Sequence, residues 1–441
     1  MIFRLLPKLL AAWGVVAIAL LYGFYANTYG LFPSRQILRA DGVVHHLMGK
    51  AKGTLPIFYT PGDTSHETIL RDPGQLAPGM TLVSGVGKDG MLFAKLIDAD
   101  GHIEHQWNLD FFTVWPNPKG LPEDAVPKSR PGTQIHGILL SPNGDLTFNY
   151  EALGVVQVDA CGRVKWRLQR AANHSLFRDD DGNIWTQEEA PAAKRPDGKP
   201  VDPEMNILGF NVLKISPTGK VLRRIPGADL LRRNGYEGLL YMATIGFRKI
   251  GTEGDVLHVN DVEVFSKSMK GDLFKPGDVM LSFRNVQGVV VFDPDTLEIK
   301  ASTIGRFVHQ HDPDFVDGST ITVLDNNDTT ADPSRQSSRI VEYSFKTGRE
   351  RVLFAGDRVH PFFTDIMGKH QWLSNGDLLL TETMKGRALE VNPRGEVIWE
   401  YRNIVKPGLR GMMDEAQRIA PDALSPEGLH RIVAACRANH V

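Results

Sequence analysis

Five histidines occupy similar positions in a series of short repeats, and their side chains are well suited to chemistry. Four precede the glycine of a turn by similar intervals: His136 and His174 by eight residues, His311 by seven and His370 by six. The fifth, His258, opens a further copy of the pattern. A neutral imidazole can act as a nucleophile or pass a proton. Residues that recur at one point of a repeat meet when the repeats stack, so one site is expected.

Short β-strands are the elements that must bring these histidines together. Each copy holds alternating segments separated by turns such as NG, DG or PxG, the signature of β-hairpins. A unit of about 40 to 50 residues with four strands is the period of a propeller blade. Six copies are recognisable, and the one from Met80 lacks the leading histidine. We therefore predict an all-β chain whose residues 75–411 form a six-bladed β-propeller. A seventh blade would have to lie in residues 31–79.

The first strand of each blade lines the central channel of a propeller, so the histidines are expected at one mouth of that channel. A single histidine of this kind is equally well explained as a hydrogen-bonded packing residue. Five in one register, close to Arg284, favour a functional site, because converging imidazoles beside a guanidinium are costly to keep without a use.

Four segments resemble those of the bacterial arylsulfotransferase family. They are HVNDV from His258, SFRNVQGVVVFDP from Ser282, HQHDPDFVDGSTITVLDNND from His309 and HQWLSNGDLLLTET from His370. The resemblance covers roughly residues 75–425. It implies a periplasmic six-bladed propeller that moves a sulfuryl group from an aryl sulfate donor to a phenolic acceptor without a nucleotide donor.

The resemblance also implies roles for residues that match the family's motifs. His311 matches the nucleophile, which forms a sulfohistidine in a ping-pong cycle. His258, Asn260 and Arg284 match the groups that hold the sulfuryl oxygens, and His136 matches a further channel histidine.

Four more residues are candidates for substrate binding. Thr381 lies near a threonine of the family's site, whereas His174, His309 and His370 are suggested by the repeat register or the local cluster. Asp312, next to the proposed nucleophile, either orients an imidazole or caps a turn. The segment Asp325–Asn327 is expected to form a turn, with a position facing the channel as the alternative.

Sulfuryl transfer needs the groups that this set supplies. The nucleophile must be uncharged near neutral pH, and donors must surround the anionic oxygens of the sulfate. An arginine fork, an amide and a second imidazole are such donors. A histidine or tyrosine that exchanges a proton with the phenol would complete the cycle. This chemistry requires no cofactor, and no metal site is predicted, although a structural Ca²⁺ in the channel stays open.

Two other functions compete with the enzyme. Many propellers bind a ligand or a protein without catalysis, and this chain could do so at the membrane surface. A ring of histidines could also hold a transition metal. Against the metal, the sequence shows no HxxxH pair, while HQH places His309 and His311 on one face of a strand.

The N-terminus differs from the rest of the chain. Arg4 and Lys8 precede an apolar, uncharged run from Leu9 to Tyr25, long enough to cross a bilayer as a helix. The charges favour a cytoplasmic N-terminus, so residues 1–30 are predicted to anchor the protein in the inner membrane with the propeller in the periplasm. A cleaved signal peptide is the alternative. Residues 31–74 would be a linker.

Composition adds limits rather than a function. The net charge of −2 gives no case for nucleic-acid binding. Cys161 and Cys436 lie far apart, which favours two unpaired thiols over a disulfide that would dock the tail beside the second blade. Residues 412–441 lose the strand pattern and are predicted to form a helical tail. Oligomeric state is not predicted.

Overall fold

The computed structural model describes residues 2–29, 57–119, 121, 126–191, 208–242, 255–329 and 336–438. The chain divides into two compact units, Met1–Ile57 and Phe58–Val441. The described part of the first unit contains one helix, α1 (Ile2–Tyr29). This is the segment expected to be a membrane anchor. Within the described residues, however, no helix has the combined length and apolar character that crossing a membrane requires. Most of the expected linker, residues 31–56, lies outside the described residues.

The second unit is built almost entirely of β-strands. In chain order the first half comprises β1 (Tyr59–Pro61), β2 (Thr68–Leu70), β3 (Met80–Val86), β4 (Leu92–Ile97), β5 (Ile103–Asn108), β6 (Ile135–Leu140), β7 (Leu146–Tyr150), β8 (Gly154–Val158), β9 (Val164–Leu168), β10 (Ala172–Arg178), β11 (Ile184–Pro191), β12 (Leu208–Ile215), β13 (Val221–Pro226) and β14 (Val259–Val264). The second half comprises β15 (Val279–Phe283), β16 (Gly288–Phe292), β17 (Ile299–Ile304), β18 (His311–Phe315), β19 (Thr320–Asp325), β20 (Arg339–Ser344), β21 (Glu350–Ala355), β22 (Lys369–Trp372), β23 (Leu378–Glu382), β24 (Arg387–Val391), β25 (Val397–Arg402), β26 (Ile404–Lys406), β27 (Leu409–Gly411) and β28 (Met413–Ile419).

These strands form six antiparallel blades, as the turn pattern predicts. Blade 1 is β28-β3-β4-β5, and blades 2 to 5 are β6–β9, β10–β13, β14–β17 and β18–β21. Blade 6 is β22–β25 with β2 added at its outer edge, and β1, β27 and β26 make a small separate sheet. The described part of residues 31–79 thus adds strands to other sheets.

The first-named strands of the blades form a closed ring. Each contacts the corresponding strand of the next blade, and β28 contacts both β6 and β22. The first and last strands of the blades close the ring, since β28 pairs with β3 from Ile419↔Met80 to Met413↔Gly85. The strand pattern therefore continues beyond residue 411, where the sequence placed the end of the propeller. It was missed because Asp414, Glu415 and Arg418 interrupt the apolar alternation.

Helices are few in the described part of the propeller. They are α2 (Phe111–Val114), α3 (Gly227–Arg233) and α4 (Pro426–Ala438), with 3₁₀ turns at Lys88–Gly90, Glu237–Tyr241 and Thr383–Lys385. The expected C-terminal helix is therefore present as α4. Its Leu429 is fully buried in the core shared by blades 1 and 2.

The expectation of two unpaired cysteines is wrong. Cys161 and Cys436 form a disulfide with Cα atoms 6.1 Å apart. The reason is the docking of α4: Leu429 enters the core, and Ile432 lies against the turn at Gly144 of blade 2. This brings the end of the helix to Cys161, which follows β8.

A buried ion pair fixes the closing strand β28 to blade 6. Arg418 donates to Glu390 Oε2 at 2.7 Å and to Thr81 Oγ1 at 3.0 Å, and it also bonds the carbonyl oxygen of Ala77. Glu390 Oε1 accepts from the Ala77 amide at 2.7 Å. The pair is almost completely buried, so neither charge has water as an alternative partner.

We expect Arg418→Met to lower the free energy of unfolding by about 3–5 kcal/mol, because it leaves the Glu390 carboxylate buried and unpaired. The matched control is Arg394→Met, which breaks an exposed pair with Glu396 and should lower the free energy of unfolding far less, because water screens that pair. Urea denaturation of both variants measures the difference. Equal losses would contradict a clamping role for Arg418.

Candidate active site

The candidate residues meet at the face of the propeller where the innermost strands begin. Because each second strand runs antiparallel to the first, the second strands end at the same face. His136 lies in β6, His174 in β10 and His311 in β18, while Arg284 follows β15 and Asn326 follows β19. Residues from distant points of the chain are in this way collected around one axis.

A small cavity of about 20 Å³, here called the histidine pocket, lies at this end of the channel. All six blades or the segments leading into them contribute to its lining: Asp414, His136, His174, Ser175, Asn260, His311, Asp312, Met367, Gly368 and Lys369. The volume is enough for about one water molecule. Eight of the ten lining residues have polar or charged side chains, which a propeller channel would not need for packing alone.

β-Bulges aim several of these side chains. In blade 2 the register passes from Ile135↔Tyr150 to Ile138↔Phe148, so His136 falls in a bulge. Asn260 and Asp414 are likewise extra residues in β14 and β28. Bulges commonly redirect side chains beside active sites.

Backbone strain is concentrated here. His174, His258, His309 and Asp312 all have φ between 50° and 55°, in the left-handed region that residues other than glycine avoid. Such strain persists only where the surroundings enforce it, and it clusters at functional sites. Gly137 has the opposite role: a Cβ there would lie 2.5 Å from the Leu176 backbone nitrogen, so only glycine allows blades 2 and 3 to approach.

His311 is held with its ring proton on Nδ1, so Nε2 carries the lone pair that can act as a nucleophile. The Asn326 amide nitrogen donates to the carbonyl oxygens of Thr364 and Met367 at 2.9 Å each, so its oxygen must face His311. His311 Nδ1–H therefore donates to Asn326 Oδ1 at 2.7 Å. Nε2 accepts the Met367 backbone N–H at 3.2 Å. Burial, together with the charge of Arg284, lowers the pKa of His311 to about 3.

His136 is fixed by the same device. Asn173 Nδ2 donates to Glu189 Oε1 at 2.9 Å, which turns its oxygen toward His136 Nδ1 at 2.8 Å. Burial lowers the pKa of His136 to about 4. Its ring stacks on that of His174 with centroids 4.6 Å apart.

His174 and His258 continue the cluster. Burial, followed by the neighbouring His136 and His258, holds the pKa of His174 well below its usual value. The His258 ring meets His174 edge-on with centroids 4.8 Å apart. His258 Nδ1–H donates to Asp255 Oδ2 at 2.5 Å.

Arg284 and His309 lie near the histidine pocket without lining it. Burial and the positive charge of Arg284 lower the pKa of His309. Arg284 donates to Asn285 Oδ1 at 3.1 Å, and its backbone N–H bonds the His258 carbonyl oxygen at 2.9 Å. His309 precedes β18, whereas His311 is the first residue of that strand. The two histidines therefore do not lie on one face of a strand, contrary to the expectation from the HQH motif.

Asn260 lines the histidine pocket, but part of its amide is already engaged. Nδ2 donates to the Gln310 carbonyl oxygen at 2.7 Å, and Oδ1 is buried without a partner. The second N–H of the amide remains for a substrate oxygen.

His370 and Thr381 do not join the histidine pocket. His370 lines a second cavity of about 330 Å³ further along the channel. Its Nδ1 lies 3.0 Å from Asp312 Oδ2 and its Nε2 3.3 Å from Asp314 Oδ2. Although burial opposes it, these carboxylates raise the pKa of His370. Thr381 Oγ1 accepts the Ala416 backbone N–H at 3.0 Å and so ties β28 to blade 6.

Asp312 orients an imidazole, but that of His370 rather than that of His311. It also forms an ion pair with Lys369 at 2.6 Å. Asp312, Asp314 and His370 make one of three groups, among the described residues, whose ligand atoms are close enough to hold a metal. The other two groups lie at Asp98 and at Cys161, and none contains a histidine of the pocket.

The sequence missed four residues of the site. Asn326 was expected to form a turn, and Asp255, Lys369 and Asp414 were not singled out. Asn326 follows the second strand of blade 5 as Arg284 follows that of blade 4, and this equivalence was the available signal.

The chain is similar to known proteins in its sequence and in its fold. A model of the arylsulfotransferase (ASST) family matches residues 138–404, more than half of the chain. No curated protein matches. One similar solved structure is a protein of unknown function from Bacteroides caccae, with 13% sequence identity over 77% of this chain and 98% of that chain and a TM-score of 0.45. Another is TolB from Acinetobacter baumannii, with 11% identity over 77% of this chain and 66% of that chain and a TM-score of 0.40. A third is virginiamycin B lyase from Staphylococcus aureus, with 10% identity over 80% of this chain and 99% of that chain and a TM-score of 0.35.

The buried neutral histidines predict a loss of stability in acid. Below an ordinary pKa of about 6.5 the unfolded chain binds a proton at His311, and the folded chain does so only near pH 3. Unfolding therefore takes up this proton, and stability falls as pH falls through that window. We expect His311→Gln to reduce the slope of unfolding free energy against pH, between about pH 6 and 4, by about 1.4 kcal/mol per pH unit.

The control for this slope is His102→Gln. His102 is exposed, and its bond to Asp98 raises its pKa, so its removal should not reduce the slope. Urea unfolding at a series of pH values measures both variants. An unchanged slope in His311→Gln would show that His311 titrates normally.

Proposed function

The chain belongs to the arylsulfotransferase family, and we propose that it transfers a sulfuryl group from an aryl sulfate to a phenolic acceptor through a sulfohistidine at His311. The observation that carries this proposal is the fixed tautomer of a neutral, buried imidazole. Asn326 holds the proton on Nδ1, so the electron pair of Nε2 faces the pocket. A nucleophile for an anionic ester must be uncharged, and this one stays neutral far below physiological pH.

The reaction has two balanced halves. His311 Nε2 attacks sulfur, the N–S bond forms, and the S–O bond breaks with its electron pair on the departing oxygen, which takes up a proton to become a phenol. An acceptor phenol then gives up its proton and attacks the same sulfur, the N–S bond breaks, and His311 regains its lone pair. Positive charge develops on the ring in the intermediate. The bonds from Nδ1–H to Asn326 Oδ1 and to the His309 carbonyl oxygen stabilise that charge.

Donors near His311 would stabilise the sulfuryl oxygens. The resemblance assigns this role to His258, Asn260 and Arg284, and the structure places His258 and Arg284 close enough to depress the pKa of His311. The Met367 backbone N–H, which now donates to Nε2, becomes a further donor once the nitrogen bonds sulfur. The pocket holds about one water, so we infer that Met367 moves outward when substrate binds.

We also propose that the propeller works in the periplasm. The disulfide between Cys161 and Cys436 fits an oxidising compartment. The small size of the pocket favours a second candidate, a propeller that binds a ligand at the membrane surface without turnover.

The central test is turnover of an aryl sulfate with a chromogenic leaving group. We expect phenolate release that depends on an added phenol, together with a sulfuryl-sized gain in the intact mass of the protein. His311→Ala should lose the adduct and at least about 1000-fold in rate. The control His360→Ala removes a half-exposed histidine outside the channel and should leave both signals in place. Absence of release and adduct with the unaltered chain would favour the binding propeller.

Arg284 provides a second test, because the resemblance implies that its positive charge holds the sulfuryl oxygens. We expect Arg284→Gln to lower kcat/KM for the aryl sulfate by about 100- to 1000-fold, and Arg284→Lys to recover part of the loss by keeping the charge without the fork. Arg306→Gln, which removes an arginine paired with Glu350 away from the pocket, is the control. A rate unchanged in Arg284→Gln would remove Arg284 from the mechanism.

A further inference from the structure

Asp414 is a buried carboxyl group in the histidine pocket that the proposed mechanism has not used. It is 2% exposed, and neither of its side-chain oxygens has a hydrogen-bond partner among the described residues. It lies in the bulge of β28 and lines the cavity together with His136, His174 and His311. A polar group that is buried without a partner is costly to the fold, so its place beside the nucleophile needs a reason.

The surroundings of Asp414 favour its neutral, protonated form. Burial, reinforced by the carboxylates of Glu151 and Glu415, raises the pKa of Asp414 well above its usual range. The cation nearest in the channel, Lys369, is already bound to Asp312 at 2.6 Å and to Asp261 at 3.2 Å. No arginine or lysine bonds Asp414, and so nothing in the described part of the pocket pays the cost of its ionisation.

The other titratable groups of the histidine pocket are poor proton donors. His136 and His311 are neutral because burial lowers their pKa, and His174 is held neutral in the same way. Asp312 is engaged by Lys369 and His370. His258, which does not line the histidine pocket, donates its Nδ1–H to Asp255 Oδ2 in a hydrogen bond. A transfer between phenols nevertheless moves one proton onto the departing oxygen and takes one from the acceptor.

We propose that Asp414 is the general acid and base that exchanges this proton with the phenols. The proposal rests on the proposed sulfuryl transfer. In the first half-reaction the Asp414 O–H gives its proton to the phenol oxygen as the S–O bond breaks, which leaves a carboxylate and a neutral phenol. In the second half-reaction that carboxylate takes the proton of the acceptor phenol as the new S–O bond forms. The enzyme ends in its starting state with no other reactant.

This role predicts a dependence on the leaving group. A 4-nitrophenolate leaves without protonation, whereas the more basic phenolate of phenyl sulfate needs a proton as the bond breaks. We expect Asp414→Asn, which keeps the shape of the neutral acid, to lower kcat/KM for phenyl sulfate by about 100-fold or more beyond its effect on 4-nitrophenyl sulfate. The matched control is Asp314→Asn, which removes a carboxyl group that lines the second cavity and should affect both donors alike.

Three outcomes decide the proposal. A selective loss with phenyl sulfate supports it, and an equal loss with both donors in a folded Asp414→Asn variant overturns it. If the unaltered chain turns over neither donor, the proposed function fails, and an infrared difference spectrum against Asp414→Asn then tests the acid itself. A carbonyl band of a protonated carboxylic acid at neutral pH supports the protonated form on which the role depends, and its absence overturns the role.

Discussion

The pairing of β28 with β3 is the constraint on which the rest of the molecule depends, because it closes the ring of inner strands. Each blade adds at least one group to the histidine pocket, so the pocket exists only when the last strand is in place. Closure also buries the titratable groups that face the channel. The closing strand β28 carries Asp414 and Arg418, and Arg418 forms a buried ion pair with Glu390. Stability and site assembly therefore depend on the same seven residues of the chain.

The ion pair between Asp312 and Lys369 divides the channel into two chambers of different electrostatic character, since both residues line both cavities. On one side burial keeps the imidazoles neutral. On the other, His370 is bound by Asp312 and Asp314, and burial raises the pKa of Glu415 to about 7. A neutral chamber with Arg284 close by admits an anionic ester, whereas a chamber rich in carboxylates repels one. The separation is consistent with the position of the proposed nucleophile and makes the larger cavity the poorer candidate for sulfate.

The blades and the convergence of His136, His174 and His311 could be predicted from the sequence, because NG and DG turns mark the strands and a repeat fixes equivalent positions. The orientation of His370 could not. Strand β22 pairs with β23 in continuous register, whereas β6, β10 and β18 contain bulges, and a missing bulge turns the side chain along the channel. Bulges leave no mark in composition or period. The disulfide and strand β28 could not be predicted for a related reason. Both depend on where the C-terminal segment docks, which is a property of the packed blades and not of the local sequence.

The strained histidines support a functional interpretation of the pocket more strongly than their number does. A left-handed conformation at a residue other than glycine costs about 1–3 kcal/mol, and His174, His258, His309 and Asp312 all adopt it around one cavity. Glycine would relieve the strain at each position and would fit any role in which the side chain is dispensable. Histidine and aspartate at those positions mean that the side chains are needed in orientations the relaxed backbone cannot give. The backbone N–H groups of His174 and His258 donate to Asn173 Oδ1 and to Asp255 Oδ1, and these bonds hold that geometry, so the pocket is preorganised before any substrate enters.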